Sequence, residues 1–196
     1  MFIQVPDETT ADREVAEWYE QQRAAWGYLP NYARAFATRP DVAHAWNELN
    51  GAVRGHMDRR RYELATIAAA RVYRSTYCTA AHSKFLRDQC GDEASMRAVA
   101  ADPSGALLDA ADREVVVFAT RVAEDAAYVT AADVERLRDH GFSDAEIVDI
   151  VFAVAARAFF TKVLDALGVQ ADVELGDTFD PEIRRQVTVG RPFAAD

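Results

Sequence analysis

Cys78 and His82 stand four residues apart in the segment Ser-Thr-Tyr-Cys-Thr-Ala-Ala-His, residues 75–82. In a helix this spacing places the thiol and the imidazole on one face, about one turn apart. An imidazole can take the thiol proton, and the resulting thiolate is the nucleophilic and redox-active form of cysteine. A position near the helix N-terminus favours the thiolate as well. The pair therefore predicts a reactive cysteine, and the alternative is a small buried hydrophobic residue.

Ser75 occupies the position at which a second thiol would complete a Cys-x-x-Cys pair with Cys78. Serine is a good helix N-cap, which is the interpretation we favour, and its hydroxyl can instead hydrogen-bond Cys78 or a substrate. The other cysteine, Cys90, lies about 18 Å away if one straight helix carries both residues. A disulfide needs Cα atoms within about 7 Å. We therefore expect Cys90 to be structural, and to reach Cys78 only across a subunit interface or after the helix unwinds.

Glu63 directly precedes a run of apolar and small residues, Leu64–Ala70, in the preceding helix. A carboxylate beside such a run needs a partner, because burying an unpaired charge is costly. The alternative is a solvated glutamate among the arginines at a helix start. Spacing alone leaves both interpretations of Glu63 open, since it does not fix which residues of two packed helices face each other.

The remaining sequence patterns favour neither a metal nor a cofactor. His44, His56 and His140 fall on different segments, and no His-x-x-x-His or Cys-x-x-Cys pair is present. There is no glycine-rich phosphate loop and no Gly-x-Ser-x-Gly nucleophile elbow. We therefore expect no metal and no cofactor.

The composition limits the classes of partner. The chain has 196 residues and a net charge of −10, which disfavours nucleic acid and anionic membranes because both need a basic surface. No basic segment followed by an apolar run begins the sequence, and no stretch approaches the roughly 18 unbroken apolar residues of a membrane span. Two cysteines make a poor disulfide framework. We expect a cytoplasmic protein.

The hydrophobic pattern has a helical period nearly throughout and predicts a single all-α domain of about eight helices over residues 1–170. Two of these helices position the candidate residues: one runs from about Arg59 to Arg74, and the next carries Cys78 to about Gln89. Ser143 with Glu146 forms a capping box that opens a long alanine-rich helix, which can approach its neighbours closely.

The two ends of the chain carry weaker signals. Thr9 or Thr10 is expected to cap the first helix. Residues 171–196 lose the period and predict an extended C-terminal arm that packs on the domain or on a neighbouring subunit. Strand signals are weak and confined to residues 2–5 and 186–189.

Glu63 and the Cys78 segment together form a longer pattern: Glu63, eleven residues, then Ser75-x-x-Cys78-x-x-x-His82. This pattern resembles the Glu-x11-Cys-x-x-Cys-x-x-x-His signature of the AhpD-like alkylhydroperoxidase and carboxymuconolactone decarboxylase superfamily, with Ser75 in place of the first cysteine. The resemblance implies the AhpD-like helical fold.

Two flanking segments extend this resemblance. Residues 27–31, Gly-Tyr-Leu-Pro-Asn, followed by Arg39-Pro40, are similar to the N-terminal part of the family pattern, and residues 141–144 are similar to the turn before its last long helix. The match covers roughly residues 10 to 170.

The resemblance also implies roles for individual residues. In the redox-active members the second cysteine is oxidised by peroxide to a sulfenic acid and the first resolves it as a disulfide. Carried over, Cys78 is the peroxide-reactive thiol, His82 its proton partner and Glu63 the outer member of the proton relay. Ser75 cannot act as a resolving residue. Ser75 and Tyr77 are the weaker candidates for contact with substrate.

Three functions fit these observations. The favoured one is a one-cysteine hydroperoxide reductase of the alkylhydroperoxidase type, an oxidoreductase regenerated by an external thiol. The second is an acid–base enzyme of the decarboxylase type acting on a small organic acid or lactone. The third is a non-catalytic oligomeric module, which the retention of Glu63, Cys78 and His82 disfavours. On each of them the resemblance implies a homo-oligomer: a dimer, a trimer or a larger ring such as a hexamer.

Overall fold

A computed structural model describes residues 1–195, and this part of the chain is all helical. Its eleven α-helices are α1 (Arg13–Trp26), α2 (Asn31–Phe36), α3 (Pro40–His56), α4 (Arg59–Val72), α5 (Thr76–Asp88), α6 (Glu93–Ala101), α7 (Ala110–Asp125), α8 (Ala131–Asp139), α9 (Asp144–Ala166), α10 (Val173–Gly176) and α11 (Pro181–Val187). A short 3-10 helix, Ala126–Tyr128, follows α7. The all-α prediction is confirmed. The count exceeds the predicted eight chiefly because α10 and α11 lie in the segment expected to be extended.

Helix α4 is the centre of the domain. The Asp58 side chain caps it by accepting a hydrogen bond from the Arg61 amide at 2.9 Å. Every residue from Tyr62 to Ala70 is buried, including the apolar run Leu64–Ala70. Small alanine side chains on several sides let α5, α7 and α9 all pack against this one helix.

Helix α9 has the predicted capping box, in which Ser143 and Glu146 each bond the other's backbone amide. The helix continues to Ala166, and Gly168 follows with φ of 70°, a left-handed conformation that glycine adopts without steric cost. The first helix differs from expectation. Asp12, rather than Thr9 or Thr10, caps α1, because Thr9 is already held by Asp7 in the preceding turn.

A tight corner joins α4 to α5. Arg74 adopts φ of 57°, and the Ser75 amide bonds the Ala70 carbonyl at 2.9 Å. Arg59 at the start of α4 contacts Gln89 at the end of α5, so the two helices run antiparallel. This arrangement brings the early part of α4 beside the middle of α5.

The C-terminal segment is folded onto the helix pair α4–α5 and its neighbour α6. Helices α10 and α11 bury Leu175, Ile183 and Val187 against the core. The Arg71 side chain bonds the Gln186 carbonyl at 3.1 Å, and the Gly190 amide bonds the Thr76 hydroxyl at 3.0 Å. The prediction that this segment is extended is therefore wrong, because it contains two short helices. A helix of one or two turns is too short for a helical period to be detected in the sequence.

Residues 1–195 contain no strand, so the weak strand signals at residues 2–5 and 186–189 were misleading. Within the same residues, no helix is long and apolar enough to cross a membrane.

Gly190 provides a test of how the C-terminal segment docks. A Cβ atom at this position would lie 1.7 Å from the Arg74 carbonyl oxygen, which no side-chain adjustment can relieve. We expect Gly190→Ala to lower the free energy of unfolding by about 1–3 kcal/mol, the usual cost of overpacking. Gly55→Ala is the matched control, since a Cβ there meets nothing within 4 Å. Thermal unfolding of both variants measures the effect. A melting temperature of Gly190→Ala equal to that of the wild type would contradict this packing.

Candidate active site

Glu63 and His82 form a buried hydrogen-bonded pair between α4 and α5. Glu63 is fully buried, and its Oε2 lies 2.5 Å from His82 Nδ1. Its other oxygen accepts a hydrogen bond from Arg59 Nε at 2.5 Å. Of the two interpretations left open by spacing, the structure thus shows the buried and paired carboxylate rather than the solvated one.

The protonation of this pair follows from burial and charge. Burial raises the pKa of Glu63, but His82 and Arg59 together lower it below its ordinary value, so Glu63 is a carboxylate at neutral pH. Burial, aided by the nearby charge of Arg157, lowers the pKa of His82 to about 4. His82 is therefore neutral near pH 7, with its Nδ1 proton directed to Glu63 and a lone pair on Nε2 that can accept a proton.

Cys78 is 1% exposed, and its Sγ lies 3.7 Å from Arg157 Nη1. Burial raises the pKa of the Cys78 thiol, while Arg157 and the hydroxyl of Ser75 lower it without cancelling the effect of burial. The thiol form is therefore the resting form at neutral pH. Among the described residues no hydrogen bond joins Cys78 to His82, so the polar neighbour of the sulfur is Arg157 rather than the predicted imidazole.

Arg157 is the residue that sequence analysis missed. It lies on α9, is 3% exposed, and contacts the Tyr62 hydroxyl at 3.2 Å and Asn50 Oδ1 at 3.5 Å through Nη2. A signal was present, because Arg157 is a charged residue inside the alanine-rich stretch of a helix that was expected to pack closely. Like Glu63, Arg157 is a charged residue next to an apolar run and therefore needs polar partners when buried.

Ser75 lies at the N-cap position of α5, but its side chain makes no capping hydrogen bond. Its Oγ is buried and has no partner with hydrogen-bonding geometry among the described residues. The hydroxyl is nevertheless close enough to Cys78 to lower the pKa of the thiol. Ser75 is therefore the N-cap residue, as predicted, but it does not cap the helix through its side chain, and its hydroxyl belongs to the surroundings of Cys78 and Asp165.

Tyr77 contributes its ring to the wall of the site and its hydroxyl to the C-terminal segment. The hydroxyl donates to Asp172, whose other oxygen accepts the Asn31 amide at 2.7 Å. Burial raises the pKa of Asp172 to about 6, although these two donors oppose the shift. Tyr77 therefore ties α5 to the turn before α10 as well as facing the site.

These side chains surround one cavity of about 300 Å³. Cys78, His82 and Arg157 line it, and aromatic side chains form most of the apolar part of its walls. The aromatic lining residues are Trp26, Tyr32, Trp46, Tyr62, Tyr77, Phe85 and Phe160. Ser75 is not among the lining residues, so of the two weaker candidates for substrate contact only Tyr77 faces the cavity.

The sequence profile of the carboxymuconolactone decarboxylase family matches this chain over residues 40–103 and 92–172. These ranges cover more than half of the chain and include Glu63, Cys78, His82 and Arg157. The chain belongs to the carboxymuconolactone decarboxylase family. No curated protein sequence matches it significantly.

Solved structures similar to this family member share its fold. A peroxidase-related protein from Ralstonia eutropha JMP134, described as an alkylhydroperoxidase AhpD core, gives a TM-score of 0.80 at 24% identity, over 89% of this chain and 93% of that one. A peroxidase-related protein from Silicibacter sp. TM1040 gives 0.79 at 22% identity over the same shares. The debrominase Bmp8, solved with 2,3,4-tribromopyrrole, gives 0.69 at 14% identity, over 95% of this chain and 96% of that one.

Cys90, the second cysteine of this carboxymuconolactone decarboxylase family protein, lies just beyond the end of α5. It is partly buried against the core, and both cysteines are free thiols. Burial raises the pKa of Cys90, so nothing in its surroundings marks it as a reactive thiol. Within residues 1–195, no three His, Cys, Asp or Glu side chains are grouped as a metal site would require.

The low pKa of His82 predicts that acid removes part of the stability of the fold. A histidine with a pKa of about 6.5 when unfolded and about 4 when folded takes up its proton first in the unfolded state. The contribution of neutral His82 should therefore be full above pH 6.5 and fall by on the order of 3 kcal/mol as the pH drops to 4. Asp172, with its raised pKa, acts in the opposite direction over the same range, so the comparison with a His82 variant isolates the histidine. Urea unfolding of the wild type and His82→Gln over this range would test it, with exposed His56→Gln as control. Equal pH slopes in the wild type and His82→Gln would refute the assignment.

Proposed function

We propose that this protein is a one-cysteine hydroperoxide reductase, in which Cys78 is the reactive thiol and Glu63 and His82 form the proton relay. The observation that supports it best is the arrangement around the sulfur. A buried thiol lies beside a guanidinium and opens onto a cavity that also contains a neutral imidazole held by a carboxylate. This set supplies a nucleophile, a base and a cation in one enclosed space.

In the first step the Cys78 thiol proton passes to His82 Nε2, directly or through a water, and Arg157 stabilises the thiolate. The sulfur attacks the terminal oxygen of the hydroperoxide, and the O–O bond breaks. The leaving alkoxide takes the proton from His82. The thiol and the hydroperoxide thus yield a sulfenic acid and an alcohol, with the sulfur oxidised by two electrons and the peroxide reduced by two.

Two molecules of an external thiol complete the cycle. The first condenses with the sulfenic acid, releasing water and forming a mixed disulfide with Cys78. The second attacks that disulfide, releasing Cys78 as the thiol and the two external thiols as their disulfide. An external reductant is part of the proposal because Ser75 stands where the family pattern has its resolving cysteine.

Trapping of the sulfenic acid tests this function. The protein is treated with one equivalent of an organic hydroperoxide in the presence of dimedone, and intact mass and peptide mapping locate the adduct. We expect one adduct on Cys78 in the wild type and in the matched control Cys90→Ala, and none in Cys78→Ala. Absence of an adduct on wild-type Cys78, with the peroxide unconsumed, would exclude the proposed reaction.

A second thiol at position 75 should act chiefly on the recycling step. Ser75→Cys places a thiol three residues before Cys78, the spacing of redox-active dithiols. We expect sulfenic acid to form somewhat more slowly than in the wild type, because the Ser75 hydroxyl no longer lowers the pKa of the Cys78 thiol. The sulfenic acid should then be replaced by a disulfide between the introduced thiol and Cys78, so that turnover with a dithiol reductant rises. Stopped-flow oxidation and non-reducing peptide mapping measure the two steps separately. A persistent sulfenic acid in this variant would show that the two positions cannot pair.

A further inference from the structure

The cavity is positively charged in a strongly acidic protein. Three arginines line it, Arg54, Arg59 and Arg157, and no aspartate or glutamate among residues 1–195 does so. The whole chain carries a net charge of −10. A lining of this sign is therefore opposite to the average charge of the protein, and it favours entry of an anion.

Arg157 carries a charge that no carboxylate among residues 1–195 compensates. Arg59 is paired with Glu63, whose other oxygen faces His82. Arg157 instead contacts neutral groups: the thiol of Cys78, the hydroxyl of Tyr62 and the amide oxygen of Asn50.

Two further features of Arg157 point to an external ligand. Its Nε is buried and has no hydrogen-bond acceptor among the described residues. A guanidinium that is 97% buried without a carboxylate is costly to maintain, and a bound anion would remove that cost. A carboxylate fits best, because a guanidinium binds it through two parallel hydrogen bonds.

The walls around Arg157 indicate what the anion is attached to. The guanidinium carbon lies 5.6 Å from the Trp46 ring centre and 5.4 Å from that of Phe160, and these two rings stack at 4.9 Å. Trp26, Tyr32 and Phe85 add further aromatic surface to the cavity. Such walls favour a planar apolar ring, and 300 Å³ lies at the lower end of the range for small-molecule sites.

We infer that this cavity binds an aromatic monocarboxylate, with the carboxylate at Arg157 and the ring against the aromatic wall beside Cys78. Arg54, exposed on α3, adds positive charge that attracts the anion to the cavity. The inference rests on the proposed function in one respect: if the protein is a hydroperoxide reductase, its substrate is an aromatic carboxylate that bears the hydroperoxide group. Binding itself requires no reaction at the sulfur.

Benzoate and benzamide are the probes, since they share size and shape and differ in charge. Binding is followed by isothermal titration calorimetry and by the fluorescence of Trp46 and Trp26, using Cys78→Ala so that thiol chemistry plays no part. We expect benzoate to bind at least tenfold more tightly than benzamide. Equal binding of the two probes, or no binding of benzoate, would overturn the inference.

Arg157→Gln is the decisive variant. It should reduce benzoate affinity at least tenfold and leave benzamide unchanged, whereas exposed Arg13→Gln should alter neither. Benzoate affinity unchanged in Arg157→Gln would refute the assignment. If Arg157→Gln does not fold, the ratio of benzoate affinity to benzamide affinity is compared between the parent protein and Arg54→Gln. A ratio that falls in Arg54→Gln supports the inference, and an unchanged ratio contradicts it. If wild-type Cys78 forms no dimedone adduct but benzoate binds as expected, only the reductase function is rejected. If the adduct forms but benzoate does not bind, only the ligand class is rejected.

Discussion

Arg157→Met is expected to slow the oxidation of Cys78 by hydroperoxide about 10- to 100-fold at pH 7. Burial raises the pKa of the Cys78 thiol, and Arg157 is the main group that lowers it. Without the guanidinium the pKa rises further, and each unit removes nine-tenths of the thiolate at a fixed pH. The higher intrinsic nucleophilicity of a more basic thiolate offsets part of this loss.

The pH dependence distinguishes this effect from general damage. Because the thiol is the resting form, the oxidation rate of the wild type should rise with pH through the neutral range. In Arg157→Met the same rise should occur at higher pH, and Arg157→Lys should restore part of the shift. Methionine keeps most of the buried volume, and no carboxylate among residues 1–195 would lose Arg157 as a partner, so we expect little loss of stability. If the oxidation rate of Arg157→Met depended on pH as that of the wild type does, Arg157 would not set the pKa of the Cys78 thiol.

Glu63→Gln is expected to have the largest combined effect on stability and activity. The carboxylate is fully buried and bonded to both His82 and Arg59. Breaking a buried ion pair usually costs about 3–5 kcal/mol, and the partial exposure of Arg59 places this case near the lower bound, at about 3 kcal/mol. For a domain of this size that corresponds to a fall in Tm of about 6–12 °C.

The same change should lower the rate of Cys78 oxidation by about 100-fold, because a positioned base typically contributes at least this much. Without the Glu63 carboxylate, the Nδ1 proton of His82 is no longer fixed and the lone pair is not reserved for Nε2. Thermal melts and stopped-flow oxidation measure the two effects. Glu17→Gln, which removes an exposed ion pair with Arg13, is the control and should change the stability by less than about 1 kcal/mol. A rate of Cys78 oxidation in Glu63→Gln equal to that of the wild type would show that Glu63 and His82 take no part in the reaction.

The parts of the fold that were predictable from sequence are those with a long and regular pattern. The apolar run of α4 and the capping box of α9 each fix an element without reference to the rest of the chain. Helices α10 and α11, with four and seven residues, are stabilised by tertiary packing rather than by a local pattern. No periodicity could have revealed them.

The candidate site was predictable in its members on α4 and α5 but not in its geometry. The burial of Glu63 and its contact with His82 depend on the register of two antiparallel helices, which spacing does not determine. Arg157 reaches Cys78 across 79 positions of sequence, so only the packing of α9 brings them together. The same packing explains why the sulfur contacts a guanidinium although a histidine lies one turn away on its own helix.

The docking of the C-terminal segment has a consequence for how the protein is made. Asp172 follows Tyr77 by 95 positions, and Gly190 follows Thr76 by 114. At ordinary rates of synthesis these partners emerge from the ribosome roughly 5–20 s after the helix that carries Cys78. Until then the Tyr77 wall of the cavity lacks its anchor. Newly synthesised chains should therefore pass through an interval in which the Cys78 helix is formed but the cavity beside it is not yet fixed.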